Sequence, residues 1–149
     1  MSRAFVKEDI EEPQRATQRR PATGLPPGAL NLMTSDGARI LRTRLSTLQR
    51  DPAASPDELA ALQQSLDTAT IIEHTARPDA IVFGSRVTLR RPDGTLEKWR
   101  IVGVDEVPLE SGFVSWLSPL GKALLAAQPG KPFRLQPTSE IFGTVVETS

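Results

Sequence analysis

The chain has 149 residues, 38% apolar and 24% charged, with 18 basic residues balanced by 18 acidic ones. That length allows one packed domain plus an extended part, or two small domains, and the charge balance speaks against a dedicated nucleic-acid binder. The absence of cysteine rules out disulfides, a thiolate zinc site and a cysteine nucleophile.

Residues 1–30 are rich in Pro, Arg, Glu and Gln and end in Gly24-Leu25-Pro26-Pro27-Gly28. They show neither a helical nor a strand period, so they read as an arm that cannot bury enough surface to offset its ordering entropy. The opening stretch lacks the apolar centre of a signal peptide, and no later run is long enough to cross a bilayer. The expectation is a cytoplasmic protein with no membrane contact.

Residues 31–76 carry a different pattern. Ala38, Leu41, Leu45 and Leu48 are spaced 3-4-3, and so are Leu59, Leu62, Leu66 and Ala69, which is the seam of a coiled coil. Between the two runs, Ser55-Pro56-Asp57-Glu58 supplies a cap, a first-turn proline and an acid placed for a capping box. The short link makes the helices antiparallel neighbours. The first is basic (Arg39, Arg42, Arg44, Arg50) and the second acidic (Asp57, Glu58, Asp67, Glu73), so flanking ion pairs worth about 0.5 kcal/mol each favour the pairing.

Residues 77–149 read as strands with one helix. Arg86–Arg90 alternates polar and apolar, Pro92-Asp93-Gly94 signals a turn, and Leu96–Val104 returns. Phe113–Leu117 is a further strand. Ser118-Pro119 opens a helix that Gly130 stops, and Phe133–Leu135 and Ile141–Val146 close the sheet. The fold class is therefore α+β: an antiparallel helical hairpin followed by a mostly antiparallel sheet with one helix packed on it.

The groups that would assemble an active site are missing. His74, the lone histidine, falls at the end of the second helix, where a cation suits the dipole, and no phosphate-binding glycine loop is present. Trp99 and Trp116 read as core or interface aromatics rather than platforms for bases. No cofactor, no metal and no catalytic residue is expected.

Four strings resemble the GreA/GreB transcription elongation factor family. They are Leu32-Met33-Thr34 with Gly37-Ala38, Val82 to Leu89, Arg100-Ile101-Val102-Gly103-Val104-Asp105-Glu106, and Ser115 to Leu125. The last is similar to the family's "S-P-x-A-R-A-L" helix. The resemblance covers about residues 32–147 and implies an FKBP-like C-terminal domain that binds bacterial RNA polymerase at the rim of its secondary channel. Nucleic acid would be met only through the polymerase complex, DNA binding included, and the factor would be a monomer or weak oligomer. Asp105, Glu106, Ser118, Pro119 and Lys122 are the docking candidates.

In cleavage-stimulating members, acids at the hairpin tip help hold a second magnesium ion in the polymerase's own active site, as hard cations and two-metal hydrolysis require. Here the helices read as about 16 residues, roughly 24 Å long. The family's longer hairpin with a "D-x-x-E-N-A-E-Y"-like tip is absent, which is closer to the family's Rnk-type branch. The acids available at the tip are Asp51, Asp57 and Glu58. The expectation is a non-cleaving regulator; the alternatives are a cleavage factor using those acids and, last, a prolyl isomerase, since fold alone does not carry function. Gly121-Lys122 stands where the family usually has Ala-Arg, at a cost of about 1 kcal/mol for a helical glycine.

Overall fold

The computed structural model describes residues 25, 26 and 28–149; the expected arm falls largely outside them. Its first unit is β1 (Asn31–Thr34), α1 (Ser35–Gln49), α2 (Pro56–Thr68) and β2 (Ala69–Ile72). Strands β1 and β2 pair in parallel, Asn31 opposite Ala69 and Thr34 opposite Ile72. The two helices are thus the crossover that a parallel pair requires.

Both helix starts follow from local chemistry. Thr34 caps α1 by accepting from the Gly37 amide at 3.0 Å, and Ser55 caps α2 by accepting from the Glu58 amide at 3.4 Å. Glu58 does not complete a capping box. Its carboxylate reaches across the hairpin to Arg44 at 3.2 Å, one of the ion pairs that the charge pattern favours.

The second helix is shorter than its leucine spacing suggests. It ends at Thr68, and Ala69 is already extended, with ψ 138°. Residues 69–72 (Ala-Thr-Ile-Ile) are β-branched-rich, and the exposed backbone of β1 offers them a ladder that outweighs one more helical turn. His74 therefore lies beyond a strand, not at a helix end; its Nε2 is 3.1 Å from the Ser149 main-chain oxygen. The expected seam is buried only at its foot. Met33, Ala38 and Leu41 form a small core with Leu62, Leu66, Ala69 and Leu109, while Leu45, Leu48 and Leu59 stay half-exposed because two helices alone cover one face of each other.

The second unit is a five-stranded sheet in the order β5-β4-β3-β7-β6, built from β3 (Arg86–Arg90), β4 (Leu96–Val102), β5 (Phe113–Ser115), β6 (Pro132–Arg134) and β7 (Ile141–Thr148). A 3-10 turn, Val104–Leu109, separates β4 from β5, and α3 (Pro119–Ala126) follows β5. All pairs are antiparallel except β4 with β5. The β3–β4 turn closes through Gly94 at φ 91°, with the Asp93 carboxylate accepting from the Thr95 amide at 2.9 Å. Leu89, Ile101, Leu124 and Val145 are fully buried at the centre of the core, and Phe83 meets Trp116 edge-on at 6.4 Å.

Candidate functional site

The docking candidates gather at one end of the sheet for a topological reason. Strands β4 and β5 run parallel, with Val102 opposite Ser115, so the segments that follow them leave on the same side. Asp105 and Glu106 lie just past the first exit, and Ser118, Pro119 and Lys122 just past the second. The Trp116 amide donates to the Val102 carbonyl at 3.0 Å and ties the two exits together.

Their environments differ. Pro119 and Lys122 are exposed on the first turn of α3, where a partner could reach them. The Ser118 hydroxyl is occupied: it accepts from the Gly121 amide at 3.0 Å and donates to the Ser115 carbonyl at 2.7 Å. Gly121 is buried because α3 sits on the β5 exit; a Cβ there would lie 2.0 Å from the Ser115 carbonyl oxygen. The departure from alanine at this position thus has a packing cause.

Glu106 is a correction to the sequence reading. It is 0% exposed and cannot touch a docked protein. Its Oε2 accepts from the Thr34 amide at 2.9 Å and the Gly103 amide at 2.7 Å, and its Oε1 accepts from the Thr34 hydroxyl. Burial pushes its carboxyl above the usual range, opposed by those hydrogen bonds and by the charge of Arg100. Asp105 is half-buried and accepts from Asn31 Nδ2 at 3.2 Å; the same amide donates to the Ser65 carbonyl at 3.1 Å.

A third tie crosses the junction. Arg100 is 7% exposed; it donates to the Gly84 carbonyl at 3.1 Å and pairs with Asp36 of α1 at 3.3 Å. Partial desolvation of Asp36 works against its charge, but Arg100 and then Arg39 outweigh it and hold its carboxyl below the usual range. Asn31 and Asp36 carry no signal in the sequence, and Thr34 and Arg100 stand out there only as members of the strings that resemble the family. Nothing in the sequence points Thr34 at Glu106, 72 residues away.

At the hairpin tip, Asp51 folds back on its own loop, accepting from the Ala53 amide at 2.9 Å. Glu58 is taken by Arg44, and Asp57 is exposed on the first turn of α2. Among the described residues, no three His, Cys, Asp or Glu side chains come together in an arrangement that could hold a metal ion. Between the hairpin and the 3-10 turn runs a groove of about 390 Å³, lined by Leu41, Leu62 and Leu109 with Arg44, Glu58 and Asp105 at its polar margins.

Residues 76–148 match the family model for the transcription elongation factor GreA/GreB C-terminal domain. Those residues are thus a GreA/GreB C-terminal domain. The transcription elongation factor GreB of Neisseria meningitidis serogroup B is 35% identical over 71 residues, 46% of this chain and 44% of that protein. GreA of Novosphingobium aromaticivorans is 41% identical over 68 residues, 45% of this chain and 43% of that one. The chain thus spans less than half the length of these curated relatives. Among solved structures, the GreA factor homolog Gfh1 of Thermus thermophilus is similar at 23% identity and a TM-score of 0.41, covering 81% of this chain and 99% of that one. In GreA/GreB terms, the matched domain takes in the whole five-stranded sheet and both exits, while β1, α1, α2 and β2 precede it.

Proposed function

We propose that the chain is a transcription elongation regulator that docks on bacterial RNA polymerase at the secondary-channel rim through its GreA/GreB domain. It acts there without stimulating transcript cleavage and is not an enzyme in its own right. Docking is supported by the family match over residues 76–148 and by the exposed Pro119 and Lys122 beside the α3 cap. The FKBP-like sheet is the platform, and the hairpin is a short coiled-coil finger projecting from it.

The observation that carries the non-cleaving reading is the state of the tip. Helices of 15 and 13 residues extend about 20 Å. Two of the three tip carboxylates have protein partners already: Asp51 its own loop, Glu58 the Arg44 guanidinium. Holding a magnesium ion would require those contacts to break and the acids to converge.

A reconstituted backtracked elongation complex tests the reading, with binding and RNA cleavage measured together. Binding without release of 3′ RNA fragments is the expected result. The cleavage-factor alternative draws on the exposed carboxylate of Asp57 at the tip; it predicts fragment release that disappears in the Asp57→Ala, Glu58→Ala double variant.

A further inference from the structure

Glu106 is the one fully buried acid described, and its hydrogen-bond donors come from two bodies. Gly103 N–H belongs to the sheet domain; Thr34 N–H and the Thr34 hydroxyl belong to the foot of the hairpin. The hydroxyl passes the link on by accepting from Gly37 N–H at 3.0 Å, in the first turn of α1. Two glycines make the space: a Cβ on Gly37 would lie 2.0 Å from Glu106 Oε1, and one on Gly103 would lie 1.8 Å from the Leu32 carbonyl oxygen. A buried carboxylate left without donors is costly. One whose donors converge only in a single relative placement of two bodies holds them in that placement.

We propose that Glu106 is a positioning residue whose carboxylate, shared between Gly103 and Thr34, sets the direction in which the hairpin leaves the docking domain. Its consequence for transcription rests on the docking reading above; the geometric claim stands without it. Arg100 with Asp36 is an outer tie, its acid half-exposed, and guides the same direction less strictly.

The cysteine-free sequence allows a clean test. Nitroxides on cysteines introduced at the exposed positions Ala53 and Lys131 report the tip-to-domain distance by pulsed dipolar spectroscopy. The parent chain should give one narrow distribution. Glu106→Ala and Thr34→Val should broaden or shift it, Thr34→Ser should restore it, and the near-UV signal of Trp99 and Trp116 should stay as in the parent, showing an intact sheet. A broad distribution in the parent, an unchanged one in Thr34→Val, or a Thr34→Ser result equal to that of Thr34→Val would each overturn the proposal. If Glu106→Ala loses the tryptophan signal, Thr34→Val decides, since it removes one of the three bonds to the carboxylate and leaves the other two. The same variants are then offered to polymerase, where retained binding with an altered effect on elongation is expected. A parent chain that fails to bind would sink the docking reading and leave the distance result intact.

Discussion

At Gly121, helix propensity and packing pull in opposite directions. Alanine is better than glycine in a helix by about 1 kcal/mol, yet a Cβ there would stand 2.0 Å from the Ser115 carbonyl oxygen. Overpacking of this kind costs about 1–3 kcal/mol, so Gly121→Ala should lower the melting temperature, as thermal unfolding followed by circular dichroism would show. A rise would mean that α3 can lift from the β5 exit at little cost. Glu106 gives the second residue-scale prediction. Its folded pKa lies above that of a free glutamate, so the folded state binds the extra proton and this group's contribution to stability falls as pH rises from the ordinary glutamate range through the raised value. Glu106→Gln removes that titration. The stability of the parent minus that of the variant, measured by denaturant titration from pH 4 to 7, should therefore decline across the window. Asp36 has the opposite sign: its contribution is present above its unfolded pKa and is lost as pH falls through the lowered value.

Among the elements, α3 separates a structural residue from its exposed neighbours. Ser118 spends its hydroxyl on the Gly121 amide and the Ser115 carbonyl, so Ser118→Ala should cost about 1 kcal/mol through loss of the cap. Lys122 is exposed, and Lys122→Ala should leave stability within about 0.5 kcal/mol while weakening retention on immobilised polymerase. Equal retention would remove Lys122 from the docking surface. The elements also show how far the sequence could be read. The strand Arg86–Arg90, the Asp93-Gly94 turn and the Ser118-Pro119 helix start were legible because each is set by alternation, a turn residue or a cap within a few positions. The end of α2 was not. Leu66 and Ala69 continue a helical spacing, but Ala69 contacts the same small core from a strand. Only the nearby backbone of β1 reveals that competing ladder.

At the scale of the whole molecule, Leu109 packs against the hairpin core, and polar ties also join the two units: Asn31 to Asp105, Thr34 to Glu106 and Asp36 to Arg100. Their different burial predicts a graded response. Asp36→Ala breaks a pair whose acid is half-exposed and should cost about 1 kcal/mol or less. Glu106→Ala orphans buried amides and a hydroxyl and should cost several times more. Equilibrium unfolding of the two variants under one set of conditions checks that order. Docking and hairpin should also separate functionally: a chain with residues 35–68 replaced by a short linker should still compete for polymerase if its sheet remains folded, but lose its effect on elongation.

What the sequence by itself determined is whatever depends on near neighbours: the helix starts at Ser55 and Ser118, the alternating strands, the opposite charge of the hairpin's two helices, and the strings that resemble the GreA/GreB family. What only the tertiary structure decided is which of those residues are left exposed and which turn in on the protein itself. Asp105 and Glu106 are adjacent acids with equal claims to a docking surface in sequence. The 3-10 turn sends Glu106 inward to Thr34, 72 positions away, and leaves Asp105 lining a groove. Burial and hydrogen-bond partnership are long-range properties, set by which backbone approaches, and no local period records them.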